Sequence, residues 1–126
     1  MSEKKKVLVV DDEPDIVTWI TTIFEDNGYE TISAENGAEG FEKAKTEHPD
    51  LITLDISMDK ESGMRALKNL QKSEETSAIP IIIITGVSPD LKRFIDRTRQ
   101  VQKPAAFLEK PIDKDELLDI AKKVIN

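Results

Sequence analysis

Residues 6–14 have the sequence Lys-Val-Leu-Val-Val-Asp-Asp-Glu-Pro, in which an uninterrupted apolar run leads directly into acidic residues. The run is mostly β-branched and has no polar alternation, which predicts a strand from Lys6 to Val10 that is buried on both faces. Pro14 favours the first turn of a helix directly afterwards. A fully buried strand that leads into a helix is typical of α/β proteins with a parallel sheet.

Four further short apolar runs predict four more strands. The second strand of the chain is the most polar of the set, which favours a position at an edge of the sheet. The predicted strands after the first are Tyr29–Ala34, Leu51–Leu54, Ile81–Ile84 and Phe107–Glu109.

Segments with the helical spacing of apolar residues follow each strand. The first extends from Pro14 towards Gly28, a residue type that favours helix ends. Asn36 and Glu39 have the spacing of a capping pair for the second helix. The residues of this helix that we expect to face inward are Ala38, Phe41 and Ala44.

The last three predicted helices complete the alternation. The third passes through residues 64–70, and the fourth begins at Ser88-Pro89, a strong helix start. Asp113 and Glu116 form the capping pair of the fifth. Every predicted strand is therefore followed by a helix.

This alternation predicts an α/β protein with a single doubly wound parallel sheet of five strands, covered by five helices on its two faces. The chain has 126 residues, so an eight-unit barrel of about 250 residues is excluded. The same length predicts one domain over residues 1–126, with no second domain in this chain.

The composition excludes several classes of function for this chain. The chain has 25 acidic and 18 basic residues, for a formal charge of −7, which argues against direct binding of nucleic acid. It has no cysteine, so disulfides and thiolate metal sites are excluded. No apolar run approaches the roughly 20 residues that cross a bilayer, and the N-terminal apolar run is too short for a signal peptide. We therefore expect a cytoplasmic domain that does not insert into membranes.

Charged or reactive side chains follow four of the five predicted strands. Asp11 and Asp12 follow the first, Asp55 the third, Thr85 the fourth and Lys110 the fifth. In open parallel sheets, ligands bind at the carboxyl ends of the strands, so we expect these side chains to meet at one edge.

Gathering these groups has an electrostatic consequence. Two carboxylates about 4 Å apart repel each other by roughly 4 kcal/mol at an effective dielectric constant near 20, so the cluster needs protons or a cation. Hard oxygen ligands without histidine or cysteine suit Mg²⁺. A carboxylate beside a divalent cation, a lysine and a hydroxyl group can accept a phosphoryl group as the nucleophile.

At this point the sequence resembles the response-regulator receiver domains of two-component signalling. The resemblance covers essentially the whole chain, with each motif in the order and at the spacing of the family. The matching motifs are Val9-Val10-Asp11-Asp12-Glu13, Asp55-Ile56-Ser57-Met58 with Gly63, Thr85-Gly86, and Phe107-Leu108-Glu109-Lys110-Pro111. The fold that the resemblance implies is flavodoxin-like, with strand order 2-1-3-4-5.

The resemblance also implies a reaction. Asp55 would accept a phosphoryl group from a sensor histidine kinase or a phosphotransfer protein in a Mg²⁺-dependent reaction, with Mn²⁺ as a substitute cation. Asp11, Asp12, Asp55 and the backbone carbonyl of Ser57 would form the metal site. Lys110 would pair with the phosphoryl oxygens. Such a protein catalyses only its own phosphorylation and dephosphorylation, and is not otherwise an enzyme.

The remaining implied roles concern switching. Thr85 and Phe107 would be the switch residues, and they would change the surface formed by the fourth helix, the fifth strand and the fifth helix. Ser57, Gly86 and Val87 would tune the lifetime of the phosphoryl group. The peptide bond between Lys110 and Pro111 would be cis.

The implied partner of the switched surface is a downstream protein target or a covalently linked output domain. The implied oligomeric state is a monomer or a phosphorylation-dependent dimer. Three places depart from the common family pattern. Asp59 stands where proline is usual, Gly86 stands where alanine is commoner, and Lys103-Pro104 stands where Gly-Ala is frequent.

Three alternatives belong to other function classes. A phosphatase of the haloacid-dehalogenase type would have an aspartate two residues after its nucleophile, but Ser57 follows Asp55 at that spacing. A flavin-binding domain would have a loop rich in Ser, Thr and Gly after the first strand, where this chain is acidic. A receiver-like interaction module that is never phosphorylated would not need the complete set of reactive residues.

Overall fold

The computed structural model describes residues 4–56, 60–86 and 104–125. Five strands alternate with four helices in these ranges. The strands β1 to β5 are Lys6–Val10, Glu30–Ala34, Leu51–Asp55, Ile81–Thr85 and Ala106–Glu109. The helices α1 to α4 are Pro14–Asp26, Gly37–Glu47, Lys60–Lys72 and Lys114–Ile125.

The strands form one parallel sheet in the order β2-β1-β3-β4-β5, which confirms the predicted topology and the edge position of the second strand. Helix α4 is the fifth helix of the sequence prediction. The predicted fourth helix, from Ser88 onwards, lies outside the described residues. Within the described ranges, each helix is too short or too polar to cross a lipid bilayer.

Side chains from the two faces of the sheet form two separate cores. On one face, the strands pack against α2 and α3 through residues such as Ala44 and Leu67. On the other, they pack against α1 and α4 through residues such as Phe24 and Leu117. Because successive residues of a strand point to opposite faces, both cores draw apolar side chains from the same buried strands. This explains why the central strands are continuously apolar.

The strand boundaries differ from the prediction by one residue at four places. Strand β2 begins at Glu30, because the backbone amide of Tyr29 donates to the carbonyl of Phe24 at 3.0 Å and closes the end of α1. Strand β5 begins one residue earlier than predicted, at Ala106. Strands β3 and β4 each extend one residue further, to Asp55 and Thr85. These two polar residues are therefore held within the ladder.

The inward face of α2 was predicted incorrectly at one position. Gly37, Gly40 and Ala44 are buried, whereas Ala38 is exposed. The helix rotates its small residues towards β1, because a Cβ at Gly40 would lie 2.8 Å from Cγ2 of Val10. The capping pair of this helix is present, since the backbone amide of Glu39 donates to Oδ1 of Asn36 at 2.8 Å. Asp113 caps α4 in the same way through the amide of Glu116 at 3.0 Å.

Candidate functional site

The polar residues at the strand ends meet at the carboxyl edge of the sheet. Asp55 is the last residue of β3, Asp11 directly follows β1, and both are 1% exposed. Backbone hydrogen bonds continue the ladders past the strands, from the amide of Asp11 to the carbonyl of Ala34 at 3.1 Å and from the amide of Lys110 to the carbonyl of Thr85 at 2.9 Å. The sheet itself therefore fixes where these side chains begin.

The ammonium group of Lys110 joins three carboxylates. Its Nζ lies 2.7 Å from Oδ2 of Asp55, 3.7 Å from Oδ2 of Asp11 and 3.6 Å from Oε1 of Glu13. Burial would lower the pKa of Lys110, but the hydrogen bond and charge of Asp55, with the charges of Asp11 and Glu13, outweigh burial and raise the pKa. The lysine therefore stays charged.

The surroundings of Asp11 disfavour its charged form. Burial raises its pKa to about 7, and the neighbouring Asp55 raises it as well, against the opposing effects of the Glu13 amide and Lys110. Its Oδ1 accepts the backbone N–H of Glu13 at 2.9 Å. Its Oδ2 is buried and accepts no hydrogen bond within the described part of the chain. Such an oxygen can accept a proton or face a cation.

The carboxylates of four residues are close enough to bind one cation. One oxygen from each of Asp11, Asp12, Glu13 and Asp55 lies within 4.8 Å of the others. Asp11 and Asp55 are buried, whereas Asp12 and Glu13 are exposed, so the cluster opens to solvent on one side. An all-oxygen donor set with an unbonded buried oxygen fits Mg²⁺ or Mn²⁺.

The two predicted switch residues lie on the same face of the sheet. Thr85 pairs with Glu109 in the ladder between β4 and β5, and Phe107 lies two residues before Glu109. Thr85 is buried, and Phe107 is half-buried against the core that includes α2 and α3. Side chains of this relation are diagonal neighbours across two strands. A movement of the Thr85 side chain would therefore change the space available to Phe107.

Gly86, the residue that directly follows β4, lies close to Lys110. A Cβ built at Gly86 would lie 3.6 Å from Cδ of Lys110, which is ordinary van der Waals contact. An alanine would therefore fit at this position against the lysine stem. The peptide bond between Lys110 and Pro111 is cis.

The structure thus brings together most of the residues singled out from the sequence, namely Asp11, Asp12, Asp55, Thr85 and Lys110. Ser57 and Val87 lie outside the described residues, as do Asp59 and Lys103. Sequence reasoning gave no separate role to Glu13, although its carboxylate faces Lys110. One signal was available: glutamate occupies the residue before Pro14, where helices favour Ser, Thr, Asp or Asn.

A family model for the response regulator receiver domain matches residues 7–122, nearly the whole chain. The chain belongs to this family. Receiver domains act in two-component signalling and generally bind Mg²⁺ at an acidic pocket, to which the cluster around Asp55 corresponds.

The chain is similar to known proteins of about the same length. The receiver domain is 34% identical to protein PilH of Pseudomonas aeruginosa over 113 residues, which cover 90% of this chain and 91% of PilH. It is 33% identical to the polar-differentiation response regulator DivK of Brucella ovis over 118 residues, which cover 94% of each chain. The crystal structure of a CheY-like receiver domain protein from Methanospirillum hungatei is 27% identical, with a TM-score of 0.84 over 98% of this chain and 94% of that one.

We expect Asp11→Asn to change how the stability of the metal-free protein depends on pH. Folded Asp11 keeps its proton up to about pH 7, whereas the unfolded chain releases it near the ordinary pKa of 3.8. The wild type therefore loses stability as the pH rises through this window, and the variant, which cannot ionise, does not. Urea denaturation in a chelator should show Asp11→Asn to be more stable at about pH 8, on the order of 2 kcal/mol, and little changed near pH 4.

Asp119→Asn removes an exposed carboxylate from α4 and serves as the control, with a pH profile close to that of the wild type. If Asp11→Asn and the wild type have parallel profiles between pH 4 and pH 8, the proton on Asp11 has no effect on folding.

Proposed function

We propose that this receiver domain is a phosphorylation-dependent switch in which Asp55 accepts a phosphoryl group from a histidine kinase or a phosphotransfer protein. The observation that carries this proposal is the 2.7 Å contact between Nζ of Lys110 and Oδ2 of Asp55 at the open edge of the sheet. A carboxylate oxygen held beside a charged lysine at this edge can act as a nucleophile.

The proposed reaction transfers a phosphoryl group from a histidine side chain of the partner protein to Asp55. A carboxylate oxygen of Asp55 attacks the phosphorus of a phosphohistidine, and the P–N bond breaks as the O–P bond forms. The electron pair of the broken bond returns to the imidazole nitrogen. Lys110 lies where it can offset charge on the phosphoryl oxygens, which is how preorganised cations accelerate phosphoryl transfer. The protein then catalyses only its own phosphorylation and dephosphorylation.

The metal site of this proposal consists of Asp11, Asp12, Asp55 and the backbone carbonyl of Ser57. For the three carboxylates, it is supported by the oxygen donor set and by Oδ2 of Asp11, which accepts no hydrogen bond from the residues that the structure describes. Mg²⁺, or Mn²⁺ in its place, would neutralise negative charge on the transferring group when bound. Asp11 and Asp55 are buried and fixed by the sheet, so they orient the site, whereas exposed Asp12 can adjust.

Phosphorylation is proposed to act through Thr85 and Phe107. The Thr85 hydroxyl would turn towards the phosphoryl oxygens, and Phe107 would move into the space that it leaves. The diagonal placement of the two residues across β4 and β5 supports this coupling. The surface that responds would be formed by the predicted fourth helix, β5 and α4, where a downstream target, a linked output domain or a second copy would bind.

Energetics limit the size of this switch. A shift from 1:99 to 99:1 needs about 5.5 kcal/mol of differential interaction. Each hydrogen bond to a charged group supplies about 1.5–3 kcal/mol. Lys110 already contacts Asp55 before phosphorylation, so Thr85 supplies most of the new interaction. We therefore propose a partial shift, with an active-like minor population in the unphosphorylated protein.

Incubation with acetyl phosphate and Mg²⁺ should add the mass of one phosphoryl group to the wild type, measured by intact mass spectrometry. Asp55→Asn should show no adduct, because the amide cannot form an acyl phosphate, and neither should the wild type in a chelator. An adduct of equal yield on Asp55→Asn would exclude Asp55 as the acceptor. No adduct from several donors would favour an interaction module that is never phosphorylated.

Thr85→Ala should reduce the structural response at matched phosphoryl occupancy, because it lacks the hydroxyl. The measurement is the change in backbone amide chemical shifts of Ala106–Glu109 on phosphorylation, with occupancy checked by mass. Thr85→Ser keeps a hydroxyl group at this position and should respond like the wild type. Equal shift changes in wild type and Thr85→Ala would rule out the threonine as the trigger.

A further inference from the structure

Glu13 occupies the N-cap position of α1 but does not cap it. Its side chain makes no hydrogen bond to the first turn of the helix, and glutamate is not among the favoured N-cap residues. Its backbone groups make the local hydrogen bonds instead. The carbonyl of Glu13 accepts the N–H of Val17 at 3.0 Å, and the amide of Glu13 donates to Oδ1 of Asp11. Helix formation therefore does not explain the side chain at this position.

The carboxylate of Glu13 is directed into the acidic cluster. Its Oε1 lies 3.6 Å from Nζ of Lys110, and a carboxylate oxygen of Glu13 lies within 4.8 Å of those of Asp11, Asp12 and Asp55. The side chain is 63% exposed, so it can change position without disturbing the core. Glu13 thus reaches the metal site from the solvent side.

The charges of the cluster are not balanced. Among the described residues, the cluster holds four carboxylates, and the ammonium of Lys110 pairs with three of them, so negative charge exceeds positive charge here. The buried Oδ2 of Asp11 also lacks a hydrogen-bond donor among the described residues. A divalent cation would compensate this charge, and every nearby carboxylate would then contribute to its affinity.

We propose that Glu13 is a fourth carboxylate of the Mg²⁺ site. In the metal-free protein its carboxylate pairs with Lys110, and with a cation bound it would turn to face the cation instead. The ammonium of Lys110 is then left to Asp55. This inference deepens the proposed function and rests on its metal site.

The test is isothermal titration calorimetry with MgCl₂ alone as the probe, at one fixed pH and ionic strength for all variants. Glu13→Gln should lower the association constant for Mg²⁺ by about fivefold to tenfold, as expected for one charge near a dication in a solvated site. Glu35→Gln is the matched control, because Glu35 is exposed near the same edge but is outside the four-carboxylate cluster. It should change the constant less than twofold.

The outcomes distinguish the role of Glu13 from the metal site and from the proposed phosphorylation. Equal effects of Glu13→Gln and Glu35→Gln would overturn the role of Glu13 and leave the proposed phosphorylation standing. An absence of Mg²⁺ binding by the wild type would overturn both the metal site and this inference. Glu13 is exposed, so loss of folding is not expected, and equal urea midpoints in a chelator would verify this.

The same substitution in a Lys110→Met protein tests whether Glu13 affects Mg²⁺ binding only through the lysine. In Lys110→Met, Glu13 has lost the ammonium with which it pairs, and Glu13→Gln should still weaken Mg²⁺ binding severalfold. If Glu13→Gln has no effect in this background, Glu13 acts by holding Lys110 and is not part of the metal site.

Discussion

The ion pair between Lys110 and Asp55 is the interaction on which the rest of this site depends. Two carboxylates, Asp11 and Asp55, are almost completely buried at the edge of an otherwise apolar sheet. Buried charges are costly unless they are paired. The ammonium of Lys110 lies within 4 Å of both of them, and its pKa is raised in return. The site is therefore preorganised by a pairing that is strong at Asp55 and incomplete at Asp11.

This incomplete pairing links stability to function. Oδ2 of Asp11 is buried without a hydrogen bond from the described residues, and four carboxylates are crowded together here. Both features are unfavourable for folding, but they create a position where a divalent cation would be bound. The apolar cores on the two faces of the sheet hold this arrangement in place. On the face shared by α2 and α3, Thr85 and Phe107 connect the same edge to β5. One edge of the sheet thus combines the proposed acceptor, the metal site and the switch.

The sequence predicted the sheet and most of the site, because both follow from patterns along single segments. Continuous apolar strands predicted a parallel sheet, and a parallel sheet places Asp11, Asp55 and Lys110 at one edge. The exposed position of Ala38 was not predictable from helical spacing, since it depends on the close approach of Gly40 to Val10. The contact of Glu13 with Lys110 joins residues 97 positions apart in the chain. Only the folded geometry showed that this side chain faces the lysine rather than capping α1.

The most direct test of the central claim is the pH dependence of unfolding for Lys110→Met, which removes the charge and keeps an aliphatic side chain. With a chelator present, the variant should lose about 1–3 kcal/mol more stability at about pH 8 than at about pH 5, measured by urea denaturation. At the lower pH Asp11 carries a proton, so it has less need of the ammonium. An equal loss at both pH values would show that Lys110 contributes packing alone, and it would contradict an account based on its charge.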